Sequence, residues 1–423
     1  MINIFFEMFG YAFLARAFAV GILVSLCASL LGVSLVMKRF SMIGDGLSHV
    51  GFGSLAVATA MNAAPLAVSI PIVIAAAFLL LRLNENSKIK GDAAIALIST
   101  SSLAIGVIVI SLTTGMNTDV CNYLFGSILA MSKNDVYLSV ALSIMVLVLF
   151  FFFYNKLFAI TFDETFAKTG GVKTGVYNML IAFLTALTIV LGMRMMGAML
   201  ISSLIIFPAL SSMRLFKKFR SVTISSAIVS VFCFFTGVVI SYIYATPTGA
   251  SVVLINIIVF ALFWCVECLR NKKMGFVSAK AIALIIVTFF TISCAKSDNN
   301  DGVIEIKEKM FISQVNDVYL NMDDYLGKTI KLEGLFMMEY SDTRMEPYCF
   351  VLRYGPGCCG SDGNVGFEVA CMENREISYP EKNSWVEAIG ELKTYEEDDY
   401  KYLYLDLTSL NVLSQRGAEY VNQ

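Results

Sequence analysis

Residues 13–37 read Phe13-Leu-Ala-Arg16-Ala-Phe-Ala-Val-Gly-Ile-Leu-Val-Ser-Leu-Cys-Ala-Ser-Leu-Leu-Gly-Val-Ser-Leu-Val-Met37, with Arg16 the single charge in the run. A helix of that length and apolarity spans the roughly 30 Å hydrocarbon core of a bilayer. Lys38 and Arg39 end it. Similar apolar runs follow near 45–62, 64–82, 93–112, 136–154, 177–193, 196–214, 221–244 and 250–269. With 57% hydrophobic residues among 423, the pattern predicts a polytopic all-α membrane protein of about 8–9 transmembrane helices.

Charge divides the chain in two. Up to Cys294 there are 19 Lys+Arg against 9 Asp+Glu, a balance of +10; after it there are 12 against 24, a balance of −12. In the first part the basic residues Lys38/Arg39, Arg82/Lys88/Lys90, Lys156/Lys168/Lys173, Lys217/Lys218/Arg220 and Arg270/Lys272/Lys273 fall in alternate loops. The positive-inside rule makes those loops cytoplasmic. The loops near 113–135 and 245–249 are then external, and the N-terminus is outside.

Working outward from Met37, the next stretch is Ser41-Met-Ile-Gly-Asp45-Gly-Leu-Ser-His49, which holds the only histidine of the chain. On a helix, Asp45 and His49 share one face with Cβ atoms about 5–6 Å apart. Ionisable groups inside an apolar segment point to a pathway or binding site. One oxygen and one nitrogen donor suit a borderline divalent cation. The plainer reading is that the two side chains pair with each other, or that Asp45 caps a helix.

A further apolar run, Ala281–Ser293, follows Lys272, Lys273 and Lys280 and ends at Cys294. Positive flank, short apolar core, small residue and cysteine resemble a bacterial lipoprotein signal with Cys294 as the lipidated residue; an uncleaved anchor helix over 274–294 is the reading preferred here. Residues 295–310 read as a polar linker. Beyond it, from 311 to the end, a helix near 311–322 precedes strand-like runs Thr329–Met338, Tyr348–Tyr354, Val365–Met372, Trp385–Thr394 and Tyr402–Leu413. Five short strands with Gly- and Asp-rich turns predict a small all-β, OB-like barrel on the external side. Its acidity opposes nucleic-acid binding. Within it, Cys349, Cys358, Cys359 and Cys371 could form two disulfides in an oxidising compartment, or hold Zn²⁺. The run Arg353-Tyr-Gly-Pro-Gly-Cys358-Cys359-Gly-Ser-Asp362 resembles a C-terminal domain of small bacterial membrane proteins of uncharacterised function.

Phe162-Asp163-Glu164-Thr-Phe166-Ala167 with Gly171-Val172 lies in a cytoplasmic loop; Phe162 and Phe166, four apart, could share one side of a short helix that Gly171 helps to end. Together with Ser41–His49, Gly91-Asp92-Ala-Ala-Ile95, Tyr123-Leu-Phe-Gly-Ser-Ile-Leu129 and Met196-Gly-Ala-Met-Leu-Ile-Ser-Ser-Leu-Ile-Ile-Phe-Pro208, these residues resemble the membrane permease of ABC-type importers for zinc, manganese or iron, over about residues 10–270. The resemblance implies a homodimeric permease in a bacterial inner membrane over 1–273, two cytoplasmic ATPase subunits, and an external metal-binding protein. It implies metal translocation through Asp45 and His49, and ATPase coupling through Phe162, Asp163, Glu164, Phe166 and Gly171. No P-loop is present: Gly327-Lys328-Thr329 has Met322 where the first glycine belongs, so ATP is hydrolysed by a partner and the chain itself is not an enzyme. The cargo is the divalent metal, zinc first, with no tightly bound cofactor. The competing reading treats the membrane part as an anchor and the cysteine-bearing tail as a metal-binding or sensor module. Arg16 and Arg194, near span ends, snorkel in this reading.

Overall fold

In the computed structural model, the residues described are 12–61, 63, 65–86, 92–113, 133–244, 246–270, 303–308, 310–339, 347–355, 363–370, 379–397 and 400–421. The apolar runs become α1 (Ala12–Met37), α2 (Ile43–Ala60), α3 (Pro65–Asn86), α4 (Asp92–Thr113), α5 (Lys133–Phe152), α8 (Thr174–Met196), α9 (Ala198–Leu215), α10 (Phe219–Tyr244) and α11 (Thr248–Arg270). Two short helices, α6 (Tyr154–Phe162) and α7 (Glu164–Thr169), lie between α5 and α8. Among the described residues, seven helices are long and apolar enough to cross a membrane, α3 contributing a shorter apolar segment, Leu66–Arg82. The helix α2 falls outside that set because Asp45, His49 and four glycines dilute its hydropathy.

Helices in lipid gain no hydrophobic drive from contact with each other, so close backbone approach through small residues holds them. At Gly32 of α1 a Cβ would sit 2.0 Å from the Ile205 carbonyl oxygen of α9, so α1 and α9 touch backbone to backbone. Serines add bonds between helices: Ser226 and Ser230 of α10 donate to the Ser29 and Ser25 carbonyls of α1 at 3.3 and 3.0 Å. The Cys27 thiol of α1 donates to the Ser143 carbonyl of α5 at 3.4 Å, so these two helices lie side by side. Arg214 and Glu267 pair at 2.9 Å near the last turns of α9 and α11. Val33, Ala209 and Val222 pack together, which places those last turns at the Met37 end of the bundle.

The C-terminal region is built from α12 (Phe311–Leu320), a single 3-10 turn (Met322–Asp324) and strands β1 (Ile304–Ile306), β2 (Thr329–Glu339), β3 (Tyr348–Gly355), β4 (Gly363–Ala370), β5 (Trp385–Glu397) and β6 (Tyr400–Val412). Strand β2 pairs antiparallel with β3, β3 with β4, and β5 with β6; β4 runs parallel to β6, and β5 returns antiparallel onto β2. The sheet thereby closes into a five-stranded barrel with no free edge among these five. Alternation places Leu332, Phe336, Val351, Phe367, Val386 and Leu405 inside, each contributing about 1.5–3 kcal/mol on burial. Part of the stretch read as a polar linker, Ile304–Ile306, forms a sixth strand parallel to β2, in register Glu305↔Lys331. Three residues are too few for their alternation to show against the polar residues around them.

Arg353 is buried in this domain. Its Nε donates to the Glu333 carbonyl at 2.7 Å, its Nη1 to Glu308 and the Ala418 carbonyl at 3.1 Å each. Its plane lies over the rings of Phe311 and Trp385. The guanidinium ties α12, the barrel and the C-terminal strap 418–421 together, and the strap adds reciprocal bonds between Tyr354 and both Glu419 and Val421.

Candidate functional site

Glycine sets the position of α2. A Cβ at Gly46 would meet Ile95, at Gly53 the Ser102 carbonyl, at Gly51 Met193, and at Gly44 Ile205. These contacts sink α2 between α4, α8 and α9, and leave one face carrying Asp45 and His49. The expected i,i+4 pair forms: His49 Nε2 lies 3.7 Å from Asp45 Oδ2, with side-chain exposures of 24% and 46%. That separation is too long for a hydrogen bond. The other ring nitrogen, Nδ1, is buried and lacks a hydrogen-bond partner among the described residues. Asp45 is in the first turn of α2, where the helix dipole favours a carboxylate, and the helix is capped at Met42 without a side-chain bond. The capping alternative for Asp45 therefore does not hold.

A cation about 2.1 Å from each atom, the usual Zn–N and Zn–O distance, fits between donors 3.7 Å apart without moving either. Two ligands leave such an ion under-coordinated, with room for more donors. Among the described residues no group of three or more His, Cys, Asp and Glu side chains is assembled to hold a metal.

The segment that follows α5 departs from the sequence expectation in one respect. Phe162 and Phe166 do not share a helix: α6 ends at Phe162, Asp163 is extended, and α7 begins at Glu164. The Asp163 carboxylate accepts from the Phe166 N–H at 2.9 Å, and an N-cap needs non-helical backbone, so the cap itself breaks the helix. Both phenylalanines still project, 72% and 75% exposed. Gly171, at φ +80°, ends α7 in a Schellman arrangement, with Gly171 N–H on Lys168 O and Val172 N–H on Ala167 O, 3.1 and 3.0 Å.

Glu164 has partners as well as a dipole role. It accepts from Asn178 Nδ2 at 2.8 Å and Lys38 Nζ at 3.2 Å, and Lys38 also donates to Asn178 Oδ1. Lys38 sits in the turn from α1 into α2, seven residues before Asp45. The network therefore joins α7 to the start of the helix that carries the donor pair. Sequence reading missed this role, because Lys38 signals only orientation and Asn178 is one polar residue in an apolar run.

Of the tail cysteines, Cys349 is buried in the barrel core cluster and carries no disulfide among the described residues. Burial, with Glu368 nearby, pushes its thiol pKa up, which disfavours the thiolate a metal needs. Cys358, Cys359, Cys371 and Cys294 lie outside the described residues, as do Gly91 and the Tyr123–Leu129 motif. Met193 and Met196 are buried packing residues. Arg16 does not snorkel: it pairs with Asp317 of α12 at 2.8 Å.

Residues 10–267 match the family model of the ABC 3 transport family, and residues 291–423 match that of the DUF1980 C-terminal domain. Among curated relatives, the chain is 30% identical over 253 residues to the high-affinity zinc uptake system membrane protein ZnuB of Haemophilus influenzae, covering 60% of this chain and 97% of that one. It is 26% identical over 258 residues to the manganese transport system membrane protein MntC of Halalkalibacterium halodurans, covering 61% and 88%. It is 31% identical over 280 residues to a probable iron transport system membrane protein of Haemophilus influenzae, covering 64% and 98%. The solved structure of PsaBC from Streptococcus pneumoniae in complex with Fab aligns at a TM-score of 0.57 and 28% identity, over 62% of this chain and 95% of that one.

Proposed function

The chain belongs to the ABC 3 transport family and is a multi-pass permease subunit of an ABC metal importer, and from that premise we propose that it moves a divalent transition metal past Asp45 and His49. The observation that carries the reading is the donor pair itself: one oxygen and one nitrogen 3.7 Å apart, with the second imidazole nitrogen buried and without a hydrogen-bond partner among the described residues. Zinc is the first choice of cargo because a mixed N/O set suits a borderline ion; manganese and iron follow. Two copies of the chain about a two-fold axis bring four donors to one ion. A transport site has to stay incomplete and breakable so that the ion can leave.

A cytoplasmic ATPase binds the exposed Phe162 and Phe166 around α7, in this reading, and its movement reaches α2 through Glu164 and Lys38. An external metal-binding protein delivers the ion. The tail is an OB-type barrel on the external side, reached by the anchor 274–294. That placement is supported by the chain's path: Arg270 ends α11 at the Met37 end of the bundle, while the domain that starts at β1 touches Arg16 at the other. The test is ATP-driven uptake of Zn²⁺, Mn²⁺ and Fe²⁺ by the chain reconstituted with its partner ATPase. Asp45→Ala and His49→Ala should each abolish uptake of one ion while the complex still assembles. Undiminished uptake in both variants refutes the site.

A further inference from the structure

We propose that the C-terminal domain is a resident cap, docked through the polar face around α12 on the end of the helix bundle formed by the first turns of α1 and α5. Arg16 and Lys133 are the basic residues of that end which it engages. They lie in stretches otherwise poor in Lys and Arg. Asp317 of α12, Asn321 at the end of that helix and Asp324 in the following turn all turn toward them. Asp317 accepts from Arg16 at 2.8 Å, the Asn321 side chain accepts from the Lys133 backbone N–H at 3.2 Å, and Asp324 pairs with Lys133 Nζ at 2.5 Å.

The Asp317 side chain is fully buried. Within its own domain it has only neutral partners among the bonds described, the Tyr325 hydroxyl and Asn321 Nδ2; the cation comes from the permease, 301 residues away in sequence. A buried carboxylate is costly without a cation and hydrogen bonds, so the domain carries a side chain whose charge is matched only in the docked state. Met310 adds an apolar contact. It is 2% exposed, it belongs to the bundle's core cluster rather than the barrel's, and it stands at φ +68°, a conformation uncommon for a residue with a side chain. A residue in that conformation persists where surrounding contacts hold it, and the bundle core supplies contacts of that kind to the Met310 side chain.

Arg16 and Lys38 are about 33 Å apart along α1 at ~1.5 Å per residue, so the cap covers the end remote from α7. If the proposed direction of transport holds, cargo arrives at the capped end, and a delivering protein meets this domain first.

The pair Lys133–Asp324 is half-exposed on both sides and allows a test in the full-length chain in membranes, independent of transport. A water-soluble carbodiimide activates the Asp324 carboxyl, the Lys133 amine attacks it, an amide forms and the urea leaves; peptide mass spectrometry reads the product. Lys393–Asp406, 2.6 Å apart across β5 and β6 on the outer face of the barrel, is the internal reference for a folded domain. The native chain should give both links. Arg16→Gln should lower the Lys133–Asp324 link by roughly tenfold or more, as for a broken buried pair, and leave Lys393–Asp406 unchanged. Arg16→Asp with Asp317→Arg should recover it. The proposal is overturned if the native chain gives only the Lys393–Asp406 link, if Arg16→Gln leaves the Lys133–Asp324 link intact, or if mixing isotope-labelled and unlabelled chains shows that the link joins different molecules.

Discussion

Alanine at Gly53 and alanine at Gly51 are two small changes, two residues apart on α2, that the structure separates sharply. At Gly53 the new Cβ would sit 2.6 Å from the Ser102 carbonyl oxygen, and Gly106 faces it so closely that its own Cβ would lie 2.9 Å from the Gly53 Cα. Both obstacles are backbone. Reaching ordinary contact at 3.4 Å requires α2 and α4 to part by about 0.8 Å, and overpacking of that kind costs about 1–3 kcal/mol. At Gly51 the Cβ would also lie 2.6 Å from an atom, but that atom is the terminal methyl of Met193, the end of a side chain with three rotatable bonds that can swing aside. Both variants gain about 0.5–1 kcal/mol from replacing a helical glycine. The expected outcome is a Gly53→Ala chain less stable than native by about 0–2.5 kcal/mol, a Gly51→Ala chain as stable or slightly more so, and a gap of ~1–3 kcal/mol between them. Equilibrium unfolding in mixed detergent–SDS micelles measures the gap. Two variants of equal stability, or a Gly53→Ala chain above Gly51→Ala, would show that α2 and α4 do not meet backbone to backbone at Ser102.

Other consequences are read in different assays. Lys38→Met removes the cation that bridges Glu164 and Asn178; because Glu164 is part-exposed the stability change should stay under about 1 kcal/mol, while uptake per ATP hydrolysed falls, and Lys38→Glu with Glu164→Lys should restore it in part. Phe166→Ala should weaken ATPase binding by about 2 kcal/mol, as for an aromatic anchor, yet leave the free permease as stable as before, since the ring touches solvent; unchanged affinity in a pull-down titration rules out the anchor. The Glu308 carboxyl is held below the usual carboxylate range by the Ala418 N–H and by Arg353, against the cost of its burial. A depressed folded pKa means that its stabilisation is present above the unfolded value, about 4.3, and is lost as pH falls through the folded one. Protection of the Tyr354 and Val421 amides, taken relative to their intrinsic exchange rates at each pH, should therefore fall in acid, and less so in Glu308→Gln. The buried Cys349 thiol should alkylate slowly in the native chain and at an ordinary rate once unfolded.

Hydropathy made the bundle legible because in a membrane each span must satisfy its backbone internally, so span ends coincide with composition changes at Met37, Arg82, Leu215 and Arg270. The barrel strands were legible from period-two alternation, apart from β1. What the one-dimensional pattern concealed were the features set by a single hydrogen bond or by a distant partner. Asp163 in a helical run looks like a helix residue until its carboxylate is seen on the Phe166 N–H. Lys38 reads as a topology signal, and only the fold brings Glu164 and Asn178 to it. Asp45 and His49 could be found because their partner lies four residues away; Arg16 could not, because its partner lies 301 residues away.

That last contrast bears on how the two parts of the chain work together. A tether alone would keep the domain near the permease, and long-range attraction between the acidic tail and the few basic residues of the capped end is weakened beyond about 8–10 Å by salt. Neither fixes an orientation. The buried Asp317–Arg16 pair does, because Asp317 hydrogen-bonds to Tyr325 and Asn321 on its own side and so can accept Arg16 from one direction only. The adjoining Lys133 contacts then set the rotation. The buried pair, together with Met310 in the bundle core, selects the one docked geometry in which α12 faces the first turns of α1 and α5.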